Sequence, residues 1–134
     1  MSAEEIRKNV GGAWAERSDG FWLDVPASRV REVAAAMRTG STRFAALVAR
    51  PAGDGLRLSW HWDDAGTLLS IVADLAPGEA APSVVDIWPG ADWAERETRE
   101  YYAVAFAGRA DTAPLMLRDG DEPGVMLPGR GEGR

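Results

Sequence analysis

The chain has 134 residues and no break in composition, the size of one ordinary domain. It holds no cysteine and one histidine, which excludes disulfides, thiolate-bound iron–sulfur clusters, cysteine nucleophiles and multi-histidine metal sites. A formal net charge of −6 argues against nucleic acid as a partner.

The acidic start Met1-Ser2-Ala3-Glu4-Glu5 lacks the basic-then-apolar character of a signal peptide. No apolar run approaches the ~18 residues of a bilayer span. The expected location is therefore cytoplasmic, with membrane association only through partners.

A short opening helix is predicted from Ala3, interrupted by Gly11-Gly12 before Trp14. Phe21 to Val25 alternates up to Pro26 and reads as a strand with Phe21, Leu23 and Val25 on one face. Ser28 is a candidate N-cap for an amphipathic helix carrying Val30, Val33, Ala34 and Met37 and ending near Gly40. Three strands follow: Phe44 to Arg50, closed by Pro51; Leu56 to Trp62; and Leu68 to Leu75. In the middle one Leu56, Leu58, Trp60 and Trp62 share a face, opposite Arg57, Ser59 and His61. Short turns between the three favour antiparallel neighbours. Val84 to Trp88 fits either a short strand or a tight helical turn, and Pro89-Gly90 leads into a helix from about Ala91 to Tyr102. The expected fold is α+β in two layers, a mixed, mainly antiparallel sheet with helices packed on one face. Residues 1–118 form the domain, and 119–134 an extended or mobile tail.

The last helix places carboxylates among aromatic residues: Trp93, Glu97, Glu100 and Tyr101 lie on one side at helical spacing. Arg96 with Glu100, and Glu95 with Arg99, are i, i+4 pairs. By spacing alone this is a solvated helix with a few charge pairs. Its aromatic content calls for burial against something.

The run Trp93-x-Glu95-Arg96-Glu97-x-x-Glu100-Tyr101-Tyr102, followed by Phe106-x-Gly108-Arg109, resembles the signature of the thirty-kilodalton subunit family. That family comprises the C subunits of NADH:quinone oxidoreductase, with relatives in energy-converting nickel–iron hydrogenases. The lead-in from Pro82-Ser83 to Ala91 is similar to the family's as well. The resemblance implies an accessory subunit with no cofactor and no catalytic residue of its own. Its implied partners are a large catalytic subunit, of the forty-nine-kilodalton or hydrogenase type, and a neighbouring iron–sulfur subunit. It also implies an interface built from Trp93, Glu95, Arg96, Glu97, Glu100, Tyr101, Tyr102, Phe106, Gly108 and Arg109. The acids and Arg96 would form a charge network, and Tyr101, Tyr102 and Phe106 would anchor the following loop. Several positions depart from the pattern: Ala103 replaces a glycine, Arg109-Ala110 replaces a His-Pro, and Thr112-Ala113-Pro114 stands where arginines follow. These departures point toward a hydrogenase-type or divergent complex.

Other constellations carry less. His61 with Asp63 and Asp64 fits an acid–base group, but better a polar position on the solvent face of an edge strand. Trp60 and Trp62, with Trp22 nearby, fit a core better than a stacking platform. Asp119, Asp121 and Glu122 lack the ligand spacing of a calcium loop and read as a solvated acidic loop. The alternative to the accessory subunit is a free-standing small-molecule-binding module using the tryptophan-rich sheet.

Overall fold

In the computed structural model, residues 2–109 and Gly124 are described. The elements run α1 (Ala3–Val10), β1 (Ala15–Arg17), β2 (Gly20–Asp24), α2 (Val30–Ala36), β3 (Thr42–Ala52), β4 (Gly55–Asp64), β5 (Thr67–Leu75), β6 (Ala81–Pro82), α3 (Asp92–Tyr102) and β7 (Phe106–Ala107). Leu115-Met116-Leu117, the acidic group at 119–122 and the domain–tail boundary lie outside the described residues.

Five strands form one sheet in the order β1-β2-β5-β4-β3, with β2 and β5 parallel and the other pairs antiparallel. The meander read from the short turns is β3-β4-β5. Alternation sets the register: Trp60 faces Ile71 and Trp62 faces Leu69, so both strands turn their apolar residues the same way. Leu58, Trp60, Trp62, Leu69 and Ile71 are fully buried there, in one core with Ile6 of α1 and Val30, Val33 and Ala34 of α2. The fold is α+β, as expected.

Three local readings change, one of them the end of α2, which comes at Ala36 rather than near Gly40. Ser28 caps nothing; it sits within a 3-10 turn, Ala27–Arg29, entered from Pro26, and α2 starts only at Val30. The apolar positions of that helix are nevertheless right, since Val30, Val33, Ala34 and Met37 are all buried. β3 does not close at Pro51 but runs on to Ala52. As the outermost strand of its sheet, β3 tolerates a residue without an N–H. A bulge between Phe44 and Ala46 lets Phe44 and Leu47, three residues apart, pair with Trp62 and Trp60 on the same face.

Val84 to Trp88 is a turn, with the Ile87 and Trp88 amides both donating to the Val84 carbonyl. Trp88 anchors it, its indole N–H donating 2.8 Å to the Ala34 carbonyl of α2. Arg31 of α2 grips the same turn through both Asp86 oxygens at 2.8 Å. β6 and β7 then pair in parallel, Ala81 opposite Phe106 and Pro82 opposite Ala107. This short ladder brings Ser83 and Arg109, far apart in sequence, to the same helix.

Candidate functional site

Glu95 is the centre of the site. It lies on the inner side of α3 with 0% exposure, so its carboxylate must be fully partnered to remain there. Ser83 Oγ donates to Oε1 at 2.7 Å and the Val84 amide donates to Oε2 at 2.8 Å. The cation comes from Arg109, whose Nη1 donates to Oε1 at 3.2 Å. The other arm of the Arg109 fork binds Asp92, which also receives Arg96 Nε at 3.2 Å.

The Arg109 side chain is only 9% exposed. Burial opposes its charge, but hydrogen bonds to Asp92 and Glu95 outweigh it and raise the guanidinium pKa. The Arg109 hydrogen bond, opposed by partial desolvation and aided by Arg96, lowers the Asp92 carboxyl below its ordinary value. The arrangement is a structural lock. Its groups are engaged with one another, and among the described residues no group of three or more His, Cys, Asp or Glu could hold a metal.

The sequence-derived residues fall into distinct places. Glu95 and Arg109 meet directly. Arg96 joins them through Asp92, its partner one turn back. The expected Glu95–Arg99 surface pair is absent, because Glu95 faces inward and its oxygens serve Ser83, Val84 and Arg109. Glu100 is buried as well, and its backbone carbonyl accepts from the Gly124 amide at 2.6 Å. Glu97, Tyr101 and Tyr102 are half-buried, Tyr102 against the core, and Phe106 is buried in β7. Gly108 takes φ +88°, a turn conformation that disfavours side chains. Trp93 is 59% exposed, left uncovered by the described residues.

Ser83, the Val84 amide and Asp92 complete the lock. Ser83 belongs to the Pro-Ser lead-in, but no periodicity links it to a glutamate twelve positions on. Ala103, where a glycine was expected, ends α3 in the left-handed conformation at φ 57° and ψ 32°. The chain thus keeps the glycine's turn without the glycine.

His61 is not on an edge strand. β4 lies between β5 and β3, and the imidazole is 9% exposed. Its Nε2 lies 2.8 Å from Ser59 Oγ and its Nδ1 2.6 Å from Ser70 Oγ, with the Trp22 ring packed edge-on above. Asp63 instead pairs with Arg43, and Asp64 accepts from Ser41 and Thr42. Burial lowers the His61 pKa, only partly offset by Asp19, so the ring is neutral at neutral pH and unsuited to exchanging protons with those acids. Trp60 and Trp62 are fully buried, which removes them as a ligand platform.

A family model for the respiratory-chain NADH dehydrogenase 30 Kd subunit matches residues 23–130. The NADH-quinone oxidoreductase C/D subunit of Phocaeicola vulgatus is 33% identical over 104 residues, covering 72% of this chain and 20% of that protein. The corresponding C subunit of Rhodopseudomonas palustris is 35% identical over 59 residues, 42% of this chain and 30% of its own length. That of Mesorhizobium japonicum is 46% identical over 41 residues, 31% of this chain and 20% of its own. The matches therefore span 20% to 30% of these curated relatives. In fold, the chain is similar to one from the membrane-bound sulfane sulfur reductase, an archaeal respiratory membrane complex. The TM-score is 0.74 at 21% identity, covering 87% of this chain and 75% of that one. None of the described helices is long and apolar enough to cross a membrane. With residues 23–130 of its 134 matched by the family model, this chain belongs to the family of the respiratory-chain NADH dehydrogenase 30 Kd subunit.

Proposed function

We propose that the chain is a cofactor-free accessory subunit of an NADH:quinone oxidoreductase-like or energy-converting hydrogenase-type complex. It packs against the large catalytic subunit beside an iron–sulfur subunit, and is held at the cytoplasmic side of the membrane through those partners. The observation that carries this reading is the division of labour on α3. Glu95 is locked inward by Ser83, Val84 and Arg109, while Trp93, two residues away, stands 59% exposed. A rigid helix presenting a large aromatic side chain has the character of an interface anchor, since tryptophan is enriched among residues whose truncation costs an interface about 2 kcal/mol or more.

The test is Trp93→Ala in the native host. Co-purification with the large subunit should fall while the thermal midpoint of the isolated chain stays within about 2 °C of the parent, as expected for an exposed side chain. Undiminished co-purification refutes the role given to this helix. Adjacent genes for a large catalytic subunit and for antiporter-like membrane subunits would support the assignment independently.

A further inference from the structure

His61 sits in a row of paired residues that crosses the whole five-stranded sheet. Ala15 lies opposite Trp22, Trp22 opposite Ser70, Ser70 opposite His61 and His61 opposite Ala46. Residues paired in this way share one face, and here two large rings alternate with small side chains. That spacing lets the Trp22 indole reach over Ser70 and meet the imidazole edge-on, with ring centres 5.2 Å apart.

Beneath the indole, His61 Nδ1 lies 2.6 Å from Ser70 Oγ and Nε2 lies 2.8 Å from Ser59 Oγ. A neutral imidazole donates through one nitrogen and accepts through the other, so one hydroxyl receives a proton and the other gives one. An imidazolium donates through both. The hydroxyl that had given its proton then needs a new acceptor, and Ser70 is 0% exposed. The cluster as folded is therefore built for the neutral ring. The indole above it is held by its own hairpin, donating 2.8 Å to Asp19 Oδ1 and carrying the Arg17 guanidinium 4.8 Å from its centre. Beside both rings the face opens into a depression of about 410 Å³, with room for water and for a displaced indole.

Fixed charges do not decide how His61 titrates. Arg17 on β1, Arg43 and Arg50 on β3 and Arg57 on β4 share this face with Asp19, Asp24, Asp63 and Asp74. Asp63 is bound to Arg43, and Asp74 to Arg57. Burial is the larger influence and lowers the His61 pKa, with Asp19 working the other way. We propose that His61 is an acid-operated latch for the β1–β2 hairpin. The neutral ring holds the Trp22 indole down over Ser70, and protonation releases it into the depression so that water reaches the imidazolium and the stranded hydroxyl. The device changes the shape of the open sheet face and leaves the core behind it intact. Linkage makes it reciprocal: if protonation frees Trp22, removing Trp22 must make His61 easier to protonate.

The test follows the indole N–H signals by NMR in the full chain from about pH 8 to about pH 4, across the ordinary histidine range. Trp22 is assigned from Trp22→Phe, and the ring protons of the single histidine are recorded in the same samples. The expected result is one shared midpoint below 6.5 for His61 and Trp22, at which the nuclear Overhauser contacts between the two rings disappear. The Trp60 and Trp62 indoles should not move. In His61→Gln the Trp22 signal should stay constant over the range, and Trp22→Ala should bring the His61 midpoint up toward 6.5. The Trp22→Ala arm reads the latch from the other side where His61→Gln perturbs folding. Ring contacts that survive protonation of His61 overturn the proposal. So does a Trp22 transition that persists in His61→Gln, which would belong to Asp19, or a His61 midpoint unmoved by Trp22→Ala. All the indole signals changing together would be unfolding of the whole chain and would overturn it as well.

Discussion

Replacing Arg109 with alanine removes the cation facing a carboxylate of 0% exposure while leaving that carboxylate in place. Glu95 would keep the Ser83 hydroxyl and the Val84 amide, two neutral donors for a full negative charge in a dry site. Removing one partner of such a buried pair costs about 3–5 kcal/mol. The second arm adds little: the Asp92 side chain is 46% exposed, and a pair with that much solvent is worth ~1 kcal/mol or less. A loss of about 4 kcal/mol, with a urea slope of about 2 kcal/mol per molar, lowers the unfolding midpoint by about 2 M. Urea titration followed by tryptophan fluorescence reads this directly, provided the slope is unchanged. Glu95→Gln keeps the shape and much of the hydrogen bonding and should cost about 1–2 kcal/mol. Adding it to Arg109→Ala should recover part of the loss, because the stranded charge is gone. An Arg109→Ala chain within ~1 kcal/mol of the parent, or a double variant at least as unstable as the sum of the two, would refute the buried lock.

Ala103→Gly should stabilise the chain by about 0.5–1 kcal/mol in the same titration, because it relieves a side chain held at φ 57° at the end of α3. His61 has a folded-state pKa below its ordinary 6.5, so the unfolded chain takes up a proton first. Its stabilising contribution is present above pH 6.5 and lost as pH falls below that value toward the folded pKa. His61→Gln should flatten this limb of the pH–stability curve. Asp86, held by the Arg31 hydrogen bonds at a pKa of about 2 against an ordinary 3.8, adds a second limb. Its contribution is present above about pH 4 and lost as pH falls through about 2, and Asp86→Asn should remove that dependence in acid titrations.

Four strands of the sheet and the second helix were legible because their signals are local, whereas β1, three exposed residues long, was not. Leu56 to Trp62 alternates without exception, and Val30, Val33, Ala34 and Met37 recur at helical spacing, so each element announces its buried face. The bulge at Phe44 was not legible, since Phe44 and Leu47 at a spacing of three contradict a strand until one residue is displaced. The lock was half legible. Glu95, Arg96 and Arg109 were picked out by their pattern, yet spacing along α3 assigned Glu95 to Arg99. Its true partners, Ser83 and Arg109, arrive through the β6–β7 ladder, which two residues per strand do not advertise. The exposure of Trp93 was illegible for a related reason: aromatic character argues for burial, but which face of a helix its own chain covers depends on the elements packed against it.

The departures from the family pattern acquire a different meaning once the lock is seen. Arg109 stands where the pattern has histidine, and it is the buried cation rather than a gap. Its fork reaches both Glu95 and Asp92, which a single imidazole nitrogen does not do. Ala103 stands where the pattern has glycine and takes the left-handed turn regardless. Each residue has a structural role in this chain, the first as the buried cation and the second as the left-handed end of α3. The discriminating residues are those facing outward, where a change of partner alters what the surface must match. Trp93 on α3, 59% exposed, is such a position, and the proposed interface predicts that its character follows the partner it meets.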